Sequence, residues 1–485
     1  MELLASLWPP LLAALQIGVA AIASAHAVLF KRDVRAAIGW IGLIWLVPFG
    51  GSLLYALFGI NRIRRRATGL RGRRSNFRPL GPATTRAPDS STPPTATLPP
   101  AESGHLRPVA HLLDRIADTP LTFGNSILPL PGGASAYRAM LQAIDGAVRT
   151  VALATYIFDQ DDIGADFVAA LDGAMRRGVA VRVLIDGVGA RYSRPSIVGA
   201  LKTRGITVAE FLPSFIPMSI HYANLRNHRK LLITDGRIGF TGGMNIREGH
   251  RRLEGPMAIA DVHFRLEGPV VTQLGETFAV DWAFASGEAL TGDGWLPKLG
   301  EVGKIPARGI ASGPDEAFER VRWTLLAALS QAKHRIRIVT PYFLPETSLS
   351  SALQLAALRG VEVEIIIPEV SNLRLIQWAT WAKLHSLLAR GCRLWLTPPP
   401  FDHAKLMTVD GAWSLIGSAN WDQRSMRLNF EFDVECYGGD FTAALDRLID
   451  ERLARAQPLD LDAIDRRPLL LRLRDNAAWL LSPYL

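Results

Sequence analysis

With 485 residues, 48% of them hydrophobic, and a formal net charge of +9, the chain has room for two or three domains and suits a negatively charged partner, either a membrane surface or a nucleic acid. Its only cysteines, Cys392 and Cys436, exclude a disulfide framework. With no histidine cluster beside them they also give no zinc-ligand spacing, so no metal is expected.

Residues 11–30 carry no charge, and after Lys31, Arg32, Asp33 and Arg35 a second uncharged run covers 36–58. Each is long enough to cross a hydrocarbon core of roughly 30 Å, so residues 1–60 are expected to form a transmembrane helical hairpin. Pro48, Gly50 and Gly51 would weaken a soluble helix, but in a bilayer neighbouring helices satisfy the freed backbone groups. Trp8, Trp40 and Tyr55 fall where interfacial aromatics belong, and His26 is expected to face the partner helix or the interface. A cleaved signal sequence is the competing reading of the first run, because residues 23–27 are small. No Lys or Arg precedes that run and a second run follows at once, which weighs against cleavage.

Eight arginines between Arg62 and Arg78 outnumber the three basic residues between the runs, which by the positive-inside rule puts everything after Phe58 in the cytoplasm. The same arginines suit an anionic membrane. Residues 79–100, rich in Pro, Thr and Ser, read as an extended tether within a linker spanning 61–110.

The remainder is one unit written twice, over 111–300 and 301–460. A buried strand at 151–158 corresponds to one at 336–343. Arg177-Gly178-Val179 leads a strand at 180–185, as Arg359-Gly360-Val361 leads one at 362–367. Helical periodicity marks 136–147, 165–177, 316–332 and 349–359, so each copy reads as an α/β sandwich, and the fold class is α/β. Residues 461–485 form a basic amphipathic segment that either lies against lipid or packs on the second copy.

Each copy holds a histidine, a lysine two residues on and an aspartate five beyond that: His228, Lys230 and Asp235, then His403, Lys405 and Asp410. Positions two apart on an extended strand share a face, so each His and its Lys meet the same ligand. Histidine is a nucleophile towards phosphorus or a proton donor, and lysine neutralises phosphoryl oxygens. Two histidines permit a division of labour through a phosphohistidine. Gly242-Gly243-x-Asn245 and Gly417-Ser418-x-Asn420 follow the triplets, giving Gly243, Ser418, Asn245 and Asn420 as candidate phosphate contacts. His221, His250, His334 and His385 have no partner pattern and are expected at the surface or in packing, whereas His263 is a candidate for lining the site. Tyr156 and Tyr342 end matching strands and read as packing residues.

These paired motifs resemble the phospholipase D superfamily. The hairpin, the stretch Arg226-Asn227-His228-Arg229-Lys230, and the run from Asn420 to Glu431 through Arg424, Ser425 and Asn429 resemble the bacterial cardiolipin synthases within it. The resemblance covers nearly the whole chain except the tether. It implies two tandem domains sharing one active site, phosphatidylglycerol as phosphatidyl donor and acceptor, glycerol as the released alcohol, and no cofactor. It also implies an acidic residue that orients each catalytic histidine. Glu431 matches in the second half and Asp261 in the first, although Ile259 and Ala260 stand where relatives carry Trp-Arg. By the same analogy His228 is the nucleophile and His403 the acid and base. A phosphodiesterase acting on lipid or nucleic acid, and an inactive membrane scaffold, are the alternative functions. Two apolar spans favour lipid over nucleic acid, and complete motifs in both halves count against a scaffold.

Overall fold

The computed structural model describes residues 2–31, 34–59, 104–192, 195–213, 225–255, 257–314 and 319–482. The arginine-rich stretch, the tether and His221 lie outside them. The chain divides into two compact units, Met1–Ala67 and Thr68–Leu485.

In the first unit Glu2–Phe30 is a single helix, of which Trp8–Phe30 is long and apolar enough to cross a membrane. The second run departs from the expected continuous span. It is helical over Val34–Leu46, turns, and resumes as Gly50–Leu54 and a π-helical turn Tyr55–Gly59. Pro48 cannot donate to the helix ladder and Phe49 has a positive φ of 54°, so the helix breaks where the sequence places its breakers. The two segments pack nonetheless: His26 Nδ1 lies 2.8 Å from the Tyr55 hydroxyl, and Trp45 Nε1 donates to Ser24 Oγ at 3.1 Å.

The second unit is built on a sheet of 16 strands among the described residues. Strands Thr122–Pro131 and Ile305–Ser312 pair antiparallel at its centre and join the two halves. Outward from Thr122–Pro131 run Val262–Glu267, Ile238–Gly242, Leu231–Thr234, Thr150–Thr155, Ala180–Asp186 and Val208–Phe211. Outward from Ile305–Ser312 the order repeats: Asn429–Tyr437, Trp413–Gly417, Leu406–Val409, Arg335–Val339, Glu362–Pro368 and Arg393–Thr397, with Gln457–Leu459 at the edge. The expected α/β duplication is therefore present strand for strand. Thr150–Thr155, buried at every position, pairs parallel with Ala180–Asp186, as a strand covered by helices on both faces requires.

One apolar core crosses the joint, packing Phe264, Phe278 and Trp282 of the first half with Val434, Phe441 and Leu445 of the second. The helix Arg107–Ile116, which the expected boundaries divide between linker and first domain, belongs with the second half. Its Val109, Ala110 and Leu113 pack with Val321, Leu325 and Leu329.

Candidate active site

Each motif aspartate ends a strand rather than entering the site. Four residues, Leu231–Thr234 and Leu406–Val409, separate it from the lysine, and the five steps from lysine to aspartate span roughly 16 Å at about 3.3 Å per residue. Asp235 and Asp410 have φ of 52° and 53° and start the turns completed by Gly236 and Gly411. The Asp235 carboxylate accepts the backbone N–H groups of Val148, Arg149 and Thr150 at 3.0, 2.7 and 2.9 Å. Asp410 accepts those of Lys333, His334 and Arg335 at 2.8, 2.8 and 2.7 Å, and His105 Nε2 lies 2.7 Å from it. These hydrogen bonds hold the Asp410 carboxyl below its ordinary value despite burial. The two aspartates fasten the hairpin to the preceding loop.

The histidines lie at the other end of those strands. Arg226–Asn227 pairs parallel with Asn429–Phe430 of the second half, and Phe401–Asp402 pairs parallel with Ile259–Ala260 of the first. His228 N–H donates to Phe430 O at 2.9 Å and His403 N–H to Ala260 O at 2.7 Å. Each motif strand is thus hydrogen-bonded to the other half just before that half's acidic residue, and the carboxylates follow. His228 Nδ1 lies 2.9 Å from Glu431 Oε2, and His403 Nδ1 lies 2.9 Å from Asp261 Oδ2. The acidic residues are the expected ones, but each serves the histidine of the opposite half.

All four groups are buried, His228 at 9%, His403 at 8%, Asp261 at 2% and Glu431 at 0% exposure. Burial pushes His228 down to about 4 and holds His403 well below its ordinary value, with the lysines adding to both effects. The imidazoles are therefore neutral at pH 7. Each Nδ1–H then donates to its carboxylate, which leaves the Nε2 lone pair for chemistry. Burial lowers Lys230 to about 7 and Lys405 to about 8, while nearby carboxylates oppose the shift. Their ammonium groups are tethered by the carbonyls of His228 and His403 at 2.7 and 2.5 Å.

The residues expected to touch phosphate are largely committed elsewhere. Ser418 Oγ donates to Glu431 Oε2 at 2.7 Å and accepts the Phe432 N–H at 2.9 Å, so it supports the carboxylate. A Cβ on Gly243 would stand 2.6 Å from both oxygens of Asp261, so glycine there makes room for that carboxylate. Asn245 Oδ1 accepts the Ile157 N–H at 3.1 Å, and Asn420 Nδ2 donates to Ser425 Oγ at 3.3 Å.

Three aromatic or imidazole groups read as surface or packing residues belong to the site. Tyr156 meets the His228 ring edge-on at 5.2 Å, with the Lys230 ammonium 5.6 Å from its ring centre, and Tyr342 stands 6.3 Å from the His403 ring. Symmetry between the halves was the signal that could have placed both tyrosines. His250, 3% exposed, brings Nδ1 to 4.0 Å from Asp261 Oδ2. No spacing marked it; the short turn Glu248–His250 carries it back to the site. His263 is buried beside Gly242, while His385 stays exposed and pairs with Asp465 at 3.3 Å. Among the described residues, His250, Asp261 and His403 have donor atoms close enough, within 4.8 Å, to share a cation. Lys405 already supplies positive charge to the same carboxylate.

Two buried imidazoles, each set by a carboxylate and flanked by an ammonium, define a site for phosphoryl-group transfer through histidine. The family described as cardiolipin synthase, PLD-like domain, matches residues 140–282 and 325–453, and the phospholipase D-nuclease N-terminal family matches 18–59. The major cardiolipin synthase of Bacillus subtilis is 32% identical, with 94% of this chain and 96% of that one covered. A cardiolipin synthase of Geobacillus thermodenitrificans is 30% identical over 94% of this chain and 90% of its own. In fold the chain is similar to a phosphatidylserine synthase of Haemophilus influenzae, with a TM-score of 0.58 at 13% identity, covering 78% of this chain and 100% of that one. The chain belongs to the cardiolipin synthase family of the phospholipase D superfamily and is a phosphatidyltransferase.

Proposed function

We propose that this phosphatidyltransferase moves a phosphatidyl group from one phosphatidylglycerol to the hydroxyl of a second, releasing glycerol. The observation that carries the mechanism is the crossed pairing of His228 with Glu431 and His403 with Asp261, which makes the two halves one site. Entry of the anionic phosphodiester favours the charged form of the neighbouring lysines and of one imidazole. His228 Nε2, following the family analogy, attacks phosphorus. The bond to the glycerol oxygen breaks, and His403, protonated at Nε2, gives that oxygen its proton. Lys230, Lys405 and the amide nitrogens of Asn245 and Asn420 would hold the non-bridging oxygens. His403 then removes the proton from the incoming hydroxyl, whose oxygen displaces His228 and restores the free imidazole.

The apolar helix Trp8–Phe30 supports a membrane position, and the arginines after Phe58 support a cytoplasmic face for the second unit, beside anionic lipid. The test is lipid mass spectrometry of cardiolipin-free cells expressing the chain. Cardiolipin should appear with the unaltered protein and be absent with His228→Ala or His403→Ala. Formation of phosphatidic acid alone would replace transfer by hydrolysis, and substantial turnover in both variants would refute the shared mechanism.

A further inference from the structure

The helix Leu469–Leu480 is amphipathic in the reverse of the usual sense for a helix docked on a protein. Its packed side carries a buried aspartate and small or aromatic residues. Asp475 accepts from Arg467 at 2.5 Å and Arg474 at 2.7 Å, Ala478 packs against Ala379 and Leu344, and the Lys383 ammonium lies 3.3 Å from the Trp479 ring centre. With about 3.6 residues per turn, Leu469, Leu473 and Leu480 form one stripe on the opposite side, flanked by Leu470 and Leu481. Their exposures are 69%, 57%, 70%, 78% and 48%. Nothing in the attachment of the helix requires leucine there, and a contiguous exposed apolar face marks an interaction site.

Two further observations say what covers it. Arg472 is exposed beside the stripe, and Arg466, three residues before the helix, is exposed and reaches Asp462 at 3.1 Å, so the segment combines leucine with positive charge. The helix also ends beside the site: Gln423 Nε2 donates to Ser482 Oγ at 3.5 Å, and Gln423 begins the short helix Gln423–Arg427 that follows Asn420 closely. We propose that this leucine face seats itself in the headgroup region of an anionic leaflet, holding the mouth of the paired-histidine site at the membrane surface. The proposal rests on phosphatidyl groups being the substrates, since their acyl chains stay in the bilayer while the headgroup reacts. Leucines enter the acyl boundary and the arginines meet lipid phosphates. A second copy on the same face would instead bring the exposed Arg472 of each chain into one interface.

The test uses the full chain in vesicles of phosphatidylglycerol and phosphatidylcholine. Cys392 and Cys436 are buried, so a cysteine introduced as Leu473→Cys or Leu480→Cys takes an environment-sensitive fluorophore selectively. Both labels should shift to the blue and be quenched by spin-labelled lipid. A label at Val148→Cys, beside Asp235 at the far end of the strands, should stay water-like. Water-like emission at both helix positions, or quenching only by a spin label on a second copy, would overturn the proposal. Independently, Leu470→Glu/Leu473→Glu/Leu480→Glu should lower turnover of bilayer phosphatidylglycerol by about tenfold or more, with turnover of a short-chain, monomerically dissolved analogue unchanged. Equal loss on both substrates would count against docking. No turnover of either substrate by the unaltered protein would instead fail the transfer reading, with the quenching result still legible.

Discussion

The two histidine–carboxylate pairs occupy matching places in the duplicated fold but are supported differently. Glu431 receives the Ser418 hydroxyl at 2.7 Å and the Asn429 amide at 3.0 Å. Burial pushes its carboxyl up, yet His228, their hydrogen bond, Lys230 and Ser418 together hold it below the ordinary value. Asp261 has a glycine where Glu431 has a serine and accepts the N–H of its own neighbour Val262 at 2.7 Å; burial raises its carboxyl, against the pull of Lys405. Two residues before each histidine the chain carries Arg226 in one half and Phe401 in the other, whose ring lies 6.0 Å from His403. Duplication kept the hydrogen bond to each imidazole while its surroundings diverged. Environments that push paired titratable groups apart are what separate a nucleophile from an acid and base.

The comparison is broken most directly at the carboxylates. Glu431→Gln and Asp261→Asn should each lower kcat by about a hundredfold or more in a lipid transfer assay, by loss of tautomer control and of imidazolium stabilisation. A double-mutant cycle on thermal stability then tests the crossing. His228→Gln should couple to Glu431→Gln by about 1 kcal/mol or more and to Asp261→Asn by less than about 0.5 kcal/mol; the reverse order would restore pairing within each half.

Gly243→Ala and Ser418→Ala sharpen the difference in support. The added methyl would stand 2.6 Å from the Asp261 oxygens and must displace that carboxylate, so Gly243→Ala should cost more turnover than Ser418→Ala, which removes one of several donors to Glu431. Equal effects in kcat would show that the two supports are equivalent.

The pH profile of kcat/KM reports the free enzyme. Activity should fall on the acid side as His228 gains a proton near its value of about 4, and on the alkaline side first as His403, held well below its ordinary value by burial, loses the proton it must donate, and then more steeply as Lys230 and Lys405, lowered by burial to about 7 and about 8, lose theirs. An alkaline limb near the ordinary lysine value of about 10.4 would contradict their desolvation. The smallest effect on chemistry belongs to the motif aspartates. Asp235→Asn and Asp410→Asn should each lower folding stability by about 1–3 kcal/mol, measured by thermal melting, with kcat little changed below the melting range.

The sequence alone determined the α/β duplication, because buried runs followed by Gly-terminated helices recur at matching offsets, and it determined the chemical types His228, Lys230, His403 and Lys405, because two-residue spacing on an extended strand needs no tertiary context. It also named Glu431 and Asp261, though only through the family resemblance. Which histidine each serves was decided by the antiparallel pairing of Thr122–Pro131 with Ile305–Ser312, which lays each motif strand against the other half. The same long-range contacts assigned the motif aspartates to the strand ends, Ser418 to a carboxylate and His250 to the site, since hydrogen bonds between residues far apart in the chain leave no local periodicity to read.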